Sequence, residues 1–467
     1  MTNLDSLLMT GTARSIGAAI AARTVTAVDV TTWYLQRITG LNDGPAGLNC
    51  VRSVSPLALA QAALADAELE QGRWRGPLHG VPFLVKDNVF TADGTPASAG
   101  SRALADFVPP YEATLVRRLR EAGAILLGKT NLTEFADFVS DTMPAEFSGA
   151  GGVVRHPLGH RFGRGLGSSV GSAAAVAARL CAFAIGSETQ NSIQAPALHT
   201  SIVGFKPSVG RVSCHGVVPL VPSQDSPGPL TITVDDAMLV YRAMAGADAG
   251  NEQMDAAHAA GGWTIGVPRR HMADAADSAS TRAFAQALES LANAGAEIID
   301  PCDLPAAQQL SEVRSSVFRT EFKESLNVLL QAHRPGGMAS LQDIIDWNRL
   351  HPEAIPYGQS LLEAANATAG TGAAQYVADR QRDIALSLDQ GIGAALAAGA
   401  VDVLLVPMAV AAKCTGKAAA PVVAVPAGQD ETGLPFGVTV FAAPGSDELV
   451  LAAAAAIERV IGRRMLP

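Results

Sequence analysis

Gly165-Leu-Gly-Ser-Ser-Val-Gly-Ser-Ala-Ala-Ala-Val176, Ile185-Gly-Ser-Glu-Thr-Gln-Asn-Ser-Ile-Gln-Ala-Pro196 and Gly204-Phe-Lys-Pro-Ser-Val-Gly-Arg211 together form the stretch that decides the fold. A loop of small residues leads into an Ala-rich helix, and the chain then returns to a second loop that ends in another serine. The pattern predicts that Ser168 and Ser192 lie on two loops that flank a single helix.

Lys86 lies upstream, in the apolar run Val81-Pro-Phe-Leu-Val-Lys-Asp-Asn88. We expect a buried strand over Leu84–Val89. A lysine amine accepts a proton near neutral pH only if its pKa falls from about 10.4, and burial among apolar residues lowers that pKa. Asp87 would oppose this effect, but neighbours on a strand point to opposite faces. From these residues alone, a salt-bridged or snorkelling lysine remains open.

The composition is that of a globular protein with an acidic surface. The 467 residues are 48% hydrophobic and 17% charged, with a net charge of −10, which provides a large core and excludes general disorder. This charge disfavours nucleic acid or an anionic membrane as a partner. We find no signal-peptide pattern and no apolar run that could span a bilayer, so we expect a cytoplasmic protein.

The five cysteines are scattered along the chain and form no CxxC pair. This spacing favours free thiols in a reducing compartment over disulfides. It also provides no metal-ligand pattern, and we expect neither a metal nor another cofactor.

Strands and helices alternate along the chain, which is typical of an α/β protein. We expect one fused domain over residues 1–467, with the motif-rich core at 72–245. Residues 305–399 have an almost purely helical pattern and are expected to form an insertion that provides a wall of the substrate pocket. Smaller expectations are a short helix that starts at Asn131-Leu-Thr-Glu134, with Asn131 as the N-cap candidate, and a long loop over Met143–Gly167. No element is assigned to Pro222-Ser-Gln-Asp-Ser-Pro-Gly-Pro229.

Gly167-Ser-Ser-Val-Gly171 fits the G-x-S-x-G pattern, which would make Ser169 the nucleophile of an α/β-hydrolase esterase. Such an elbow requires a strand immediately before it, and residues 155–166 are rich in Gly, His and Arg. The catalytic histidine and acid would have to come from later in the chain, where no histidine has a recognisable setting. The esterase therefore stays an alternative.

Several motifs together resemble the amidase signature family, which hydrolyses amides with a Ser–cis-Ser–Lys triad. They are Gly76-Pro-Leu-His-Gly-Val-Pro82, Val85-Lys-Asp-Asn88, Gly128-Lys-Thr-Asn-Leu-Thr-Glu-Phe135, the serine-rich stretch, Gly204-Phe-Lys-Pro207, Gly210-Arg-Val-Ser213 and Gly433-Leu-Pro-Phe-Gly437. The resemblance covers nearly the whole chain. It implies a large mixed β-sheet covered by helices on both faces.

The resemblance also implies roles for individual residues. By position, Ser192 resembles the nucleophile, Ser168 the serine with the cis peptide bond, and Lys86 the base. Lys86 would take the proton of Ser168 while Ser168 takes that of Ser192, which forms an acyl-enzyme that water resolves. The backbone N–H groups that resemble the oxyanion hole are those of Thr189, Gln190, Asn191 and Ser192.

The chain departs from the family pattern near these serines. Leu166 and Val170 replace glycines, and Gln190 and Asn191 stand at the oxyanion turn, where the family usually has one or two glycines. Asn tolerates a left-handed φ better than other non-Gly residues, which would preserve the turn. The two side chains would narrow the site or provide an amide arm for the substrate. These losses of glycine motivate a second alternative, a non-catalytic binding protein on the same fold.

Gln194 also differs from the family, in which an arginine is common at that position. The segments Pro222–Pro229 and His351–Gln359 look most like the peptide-amidase and aryl-acylamidase branch. The expected substrate is therefore a small to medium neutral amide, with ammonia, an arylamine or a hydrazine-like group as the leaving group. A homodimer is one possible assembly, by base rate. Candidate substrate-binding residues are Asp137, Met143, Gln190 and Asn191.

Overall fold

The computed structural model describes residues 3–246 and 262–465. The α-helices in this part of the chain are α1 (Asn3–Thr10), α2 (Ala13–Ala21), α3 (Ala27–Asn42), α4 (Ala58–Glu70), α5 (Thr114–Glu121), α6 (Val170–Ala177), α7 (Gln194–His199), α8 (Val234–Ala245), α9 (Ser278–Asn293), α10 (Ala307–Glu312), α11 (Val317–His333), α12 (Leu341–Leu350), α13 (Ser360–Asn366), α14 (Ala374–Ile384), α15 (Gly393–Gly399), α16 (Ala412–Lys417) and α17 (Asp447–Ile461).

The strands are β1 (Val51–Val54), β2 (Pro82–Lys86), β3 (Ile125–Thr130), β4 (Phe147–Ser148), β5 (Gly152–Val153), β6 (Phe183–Glu188), β7 (Val203–Lys206), β8 (Ser226–Thr231), β9 (Thr264–Gly266), β10 (Glu297–Ile299), β11 (Val403–Pro407), β12 (Val422–Gln429) and β13 (Pro435–Phe441). Eleven of them form one sheet in the order β1-β3-β2-β6-β8-β7-β12-β13-β11-β9-β10. Strands β4 and β5 form a separate two-stranded pair.

The large sheet is mixed and is covered by helices on both faces, which confirms the predicted fold class. Strand β2 is parallel to both β3 and β6, while β8 is antiparallel to β6 and to β7. Beyond β12, the pairs β12–β13 and β13–β11 are antiparallel, and β11, β9 and β10 are parallel.

The pairing of β2 with β6 positions the future site. Because the two strands are parallel, they end at the same edge of the sheet, with Val85 opposite Ile185. Lys86 is the last residue of β2, and β6 leads at the same edge into the loop at residues 189–193. The Ala-rich helix α6 precedes β6, so its N-terminal loop, which contains Ser168, reaches this edge as well.

Strand β8 overlaps Pro222–Pro229, a segment to which no element is assigned from the sequence. It begins at Ser226 and contains Pro227 and Pro229, which are paired with β6 on one side of the strand register. Proline cannot donate a ladder hydrogen bond, so its presence normally argues against a central strand. The two prolines are two residues apart, so both missing N–H groups fall on the same side, and the alternate residues keep theirs.

Three local expectations are also corrected. The predicted helix after Asn131 is only a 3₁₀ turn, Glu134–Ala136. Asn131 does not cap it: its Oδ1 accepts from the N–H of Leu132 and from Ser148 Oγ, each at 2.9 Å. The loop over residues 143–167 contains β4 and β5. Strand β2 ends at Lys86 rather than Val89, because the chain turns there and the N–H of Val89 donates to the carbonyl of Lys86.

The segment 305–399 is mainly helical, as predicted. It contains α10 to α15, with a π-helical turn at Ala385–Ile392 between α14 and α15. None of the described helices combines the length and the apolar character that a bilayer crossing requires. All five cysteines are free thiols, and Cys214 is the exposed one among them.

Candidate active site

Lys86 is completely buried and faces two serine hydroxyls. Its Nζ donates to Ser168 Oγ at 2.7 Å, to Ser187 Oγ at 3.0 Å and to the carbonyl of Ser187 at 3.2 Å. Asn88 Nδ2 donates to the same Ser187 Oγ at 2.9 Å. The structure thus brings Lys86 and Ser168 together and adds a second serine that holds the amine from the other side.

Burial lowers the pKa of Lys86 to about 7. The carboxylates of Asp225, Glu188 and Asp137 oppose this shift only in part. The buried carboxylate of Asp87 acts instead on Lys129 and Arg52, as expected from the alternation of side chains along a strand. Near neutral pH a large fraction of Lys86 is therefore the uncharged amine, which can accept a proton.

Ser168 follows a cis peptide bond, Gly167–Ser168. The backbone around it is fixed on both sides. Its carbonyl accepts from the N–H of Thr133, and the N–H of the next residue, Ser169, donates to the carbonyl of Ser192, both at 3.0 Å. The second contact joins the loop before α6 directly to the loop before α7. Within the described residues, no hydrogen bond joins the Ser168 hydroxyl to the Ser192 hydroxyl.

The turn at residues 189–192 presents backbone donors that no protein acceptor uses. Among the described residues, no hydrogen bond is donated by the N–H groups of Thr189, Gln190, Asn191 or Ser192. Backbone N–H groups at buried positions normally have partners. Ser192 itself is 5% exposed. Unused donors beside a hydroxyl are what a site that stabilises an oxyanion requires.

The side chains of Gln190 and Asn191 are engaged with the protein. Asn191 Nδ2 donates to the carbonyl of Gly165 at 2.6 Å, and Gln190 Nε2 donates to Gln224 Oε1 at 3.3 Å. Neither residue is among the described residues with positive φ, so the turn forms without the left-handed backbone that was considered above. The Asn191 amide joins the loop that carries Ser192 to the loop that carries Ser168.

Gly416 in α16 supports the turn from behind. A Cβ at this position would lie 2.7 Å from the carbonyl oxygen of Thr189 and 2.7 Å from Gln190 Cγ. Only glycine therefore allows the helix to approach this closely. Since α16 lies far along the chain, the turn is packed between two distant segments.

A cavity of about 230 Å³ lies beside the turn. Its lining is mostly apolar and includes Ser187 and Asn88, which hold the amine of Lys86. The lining residues are Asn88, Ala136, Ser187, Thr189, Cys214, Val217, Val218, Pro219, Leu220, Pro222, Asp225, Ser226 and Pro227. None of them comes from residues 305–399, which pack behind the lining through the N–H of Ser223 donating to Glu321. A pocket wall from this insertion stays a prediction.

The remaining candidate substrate-binding residues differ in their placement. Asp137 is partly buried near the amine of Lys86, and burial raises its pKa to about 7, against the opposing charges of Arg164 and Lys86. Met143 is 4% exposed and belongs to the hydrophobic core, and it does not line the cavity. A role for either residue in substrate binding stays a prediction.

The alternative with Ser169 as an esterase nucleophile is wrong for this fold. No strand immediately precedes Ser169, because the chain from residue 154 to residue 168 is loop. The Ser169 hydroxyl is completely buried, donates to the carbonyl of Ser187 at 3.2 Å and accepts from its N–H at 3.3 Å. It holds β6 against α6.

Two residues of this cluster were not singled out from the sequence. Ser187 accepts directly from the amine of Lys86, and Asn88 holds Ser187 in place by donating to its hydroxyl. Both lie in the quoted motifs, one residue before Glu188 and two after Lys86. Their contact depends on the register between β2 and β6, for which the sequence contains no signal.

The family model described as Amidase matches residues 29–422 of this chain. The chain belongs to the amidase signature family. It is therefore an amide hydrolase, an enzyme that acts on carbon–nitrogen bonds. The predicted family resemblance is confirmed.

Solved structures place this amidase near several relatives. It is 36% identical to the native peptide amidase from Stenotrophomonas maltophilia, with a TM-score of 0.88 over 97% of this chain and 98% of that one. An amidase family protein from Bacillus anthracis is 30% identical, with a TM-score of 0.89 and coverage of 100% of this chain and 94% of that one. A bacterial aryl acylamidase shares the fold, with a TM-score of 0.78, 23% identity, and coverage of 97% and 96%.

Proposed function

We propose that this amidase cleaves a small to medium neutral amide through an acyl-enzyme on Ser192. The observation that carries the proposal is the contact between Lys86 Nζ and Ser168 Oγ at 2.7 Å, at a lysine whose pKa burial lowers to about 7. A serine hydroxyl is a weak nucleophile at its own pKa and needs a base within reach. An uncharged amine in contact with a hydroxyl meets this need.

The proposed reaction uses the contact between Lys86 Nζ and Ser168 Oγ, with the uncharged amine as the acceptor of the serine proton. Neutral Lys86 takes the proton of Ser168, Ser168 takes the proton of Ser192, and the oxygen of Ser192 attacks the amide carbonyl. The unused N–H groups of Asn191 and Ser192 stabilise the negative oxygen of the tetrahedral intermediate. The C–N bond then breaks, the amine leaves with the proton returned through Ser168, and water hydrolyses the acyl-enzyme by the same route.

The step from Ser192 to Ser168 requires the two hydroxyls to approach. Each lies on a loop, and the two loops are held together by the bonds Ser169 N–H to Ser192 carbonyl and Asn191 Nδ2 to Gly165 carbonyl. We expect a rotation of the Ser192 side chain to bring the two hydroxyls together when substrate binds. Catalytic hydrogen bonds are often long before substrate binds.

Two observations support the proposed substrate. The surface that lines the cavity beside the turn is mostly apolar, with valine, leucine and proline as six of the thirteen lining residues, which favours an uncharged group. The full-length similarity to a peptide amidase supports an amide whose acyl group is larger than that of a simple aliphatic acid. Hydrolysis of any such amide by the protein would exclude the alternative of a non-catalytic binding protein.

The test is covalent labelling with a fluorophosphonate, followed by peptide mass mapping. We expect the adduct on Ser192, and expect Ser192→Ala to lose both the adduct and turnover of an amide library. Ser169→Ala is the matched control, because it removes a neighbouring buried hydroxyl, and it should keep the adduct on Ser192. An adduct on Ser169, or full activity of Ser192→Ala, would reject the proposal.

A further inference from the structure

The backbone carbonyls of the turn determine the direction of its N–H groups. Within one planar trans peptide unit, the C=O and the N–H point in opposite directions. The carbonyl of Asn191 accepts from the N–H of Ala195 at 2.9 Å, so the N–H of Ser192 points away from α7. By the same reasoning, the direction of the Asn191 N–H depends on what holds the carbonyl of Gln190.

The carbonyl of Gln190 is held by a side chain. Gln194 Nε2 donates to this carbonyl at 2.8 Å and to Glu188 Oε1 at 2.7 Å. The other carboxylate oxygen of Glu188 accepts from the N–H groups of Ile193 and Gln194, at 2.6 and 2.9 Å. Gln194 and Glu188 are each 1% exposed, so water does not compete for these bonds.

We propose that Gln194 is a positioning residue that aims the N–H of Asn191 at the oxyanion formed during amide cleavage. Gln194 does not touch the reacting atoms and acts through the peptide unit between Gln190 and Asn191. The carboxylate of Glu188 anchors its amide from the other side. This inference rests on the function proposed above.

The hydrogen bonding of Gln194 favours this role over simple packing. Its Oε1 is buried and has no hydrogen-bond partner among the described residues. A buried polar atom without a partner lowers stability. The unpartnered Oε1 of Gln194 therefore lowers the stability of the fold. Both protons of Nε2 are nevertheless donated, one to the carbonyl of Gln190 and one to Glu188.

The test compares variants that keep or remove the two donors. Gln194→Met keeps the length of the side chain and removes both donors. We expect kcat and the rate of Ser192 phosphonylation by a fluorophosphonate to fall together by about 10- to 100-fold, with KM changed less than about threefold. The pH midpoint, at which the phosphonylation rate is half of its maximum, should not move, because Lys86 is unchanged in this variant. Gln194→Arg, which can donate to both acceptors, should recover most of both rates.

Two further variants make the test decisive. Gln194→Asn keeps the amide but is one methylene shorter, so it cannot reach both acceptors. We expect the same losses of rate from it. This variant keeps the test valid if Gln194→Met fails to fold. Asn42→Leu is the matched control. It removes another buried side-chain amide, which bonds the carbonyl and the N–H of Val51 in the edge strand β1, and should leave kcat unchanged.

The failures of the two proposals are distinguishable. A wild-type enzyme that is not phosphonylated on Ser192 overturns the proposed function and this inference with it. A labelled wild type with an equally fast Gln194→Met overturns the inference alone. A loss that appears in KM rather than kcat, or that shifts the pH midpoint and is not recovered by Gln194→Arg, shows general distortion of the site and also overturns it.

Discussion

Lys86 and Lys129 are two buried lysines on neighbouring parallel strands with opposite surroundings. In the β2–β3 register Val85 lies opposite Lys129, so the two lysine side chains point to opposite faces of the sheet. Both are completely buried. Burial lowers the pKa of Lys86 to about 7 and that of Lys129 to about 8. Loss of water alone therefore does not distinguish them.

The partners of the two amines differ in kind. Lys86 Nζ meets the hydroxyls of Ser168 and Ser187, which can exchange protons with it. Lys129 Nζ donates to the carbonyl of Val89 and is held positive by Asp87 and Asp93. Burial therefore leaves a lysine partly uncharged near neutral pH, so that it can accept a proton, while the neighbouring groups decide whether it moves protons or only holds the fold.

The largest expected effect separates the two lysines by replacing each with methionine. Lys86→Met should lower the rate of acylation by about 10²- to 10⁴-fold, the usual contribution of a general base. Lys129→Met should keep most activity per folded molecule but lose about 1–3 kcal/mol of stability, because the carbonyl of Val89 loses its donor and the buried carboxylate of Asp87 loses a nearby positive charge. Single-turnover rates and denaturant unfolding measure the two effects.

Equal losses of rate in the two lysine variants would contradict this comparison. If Lys129→Met lowered the rate as much as Lys86→Met while remaining fully folded, the catalytic role could not be assigned from hydroxyl contacts. Unfolding curves for both variants, recorded in the same buffer, control for loss of folded protein.

A smaller effect sharpens the role of the hydroxyls around Lys86. Ser187→Ala removes an acceptor of the Lys86 amine, and we expect kcat/KM to fall about 3- to 10-fold, the value of one hydrogen bond. Because the lost acceptor stabilises the charged amine, the pKa of Lys86 should fall further and the pH midpoint should move to lower pH. A midpoint that moves to higher pH would contradict this assignment.

Ser172→Ala is the matched control for Ser187→Ala. Ser172 is a buried serine of α6 that bonds Thr130 Oγ1 at 2.7 Å and the carbonyl of Ile185 at 3.2 Å. It contacts β3 and β6, the two strands that flank β2, but forms no hydrogen bond with Lys86. Its removal should change stability without moving the pH midpoint.

Much of the fold was predictable because local patterns were strong. Residues 234–245 and 447–461 have the apolar spacing of helices in the sequence, and α8 (Val234–Ala245) and α17 (Asp447–Ile461) form there. Strand β8 was not predictable, because its two prolines oppose strand formation locally and only pairing with β6 and β7 overrides them. Asn131 resembled a helix cap, but its amide joins loops instead.

The site divides in the same way. The motifs indicated Lys86, Ser168 and Ser192, and the structure joins Lys86 to Ser168 directly. The support from Ser187 depends on strand register, and that from Gly416 on the packing of a helix more than 200 positions further along the chain. Neither the strand register nor the helix packing is encoded in a short stretch of sequence, because each is determined when distant segments of the chain meet.

The most direct test of the central claim is the pH dependence of Ser192 phosphonylation, measured from about pH 5 to about pH 9 on the wild type and both lysine variants. Lys86 accepts a proton only when it is uncharged, so the rate should rise with pH and level off above a midpoint near its pKa of about 7. Lys129→Met should keep this profile, and Lys86→Met should lose it together with most of the rate. The same rise persisting in Lys86→Met would contradict the account, because another group would then be the base.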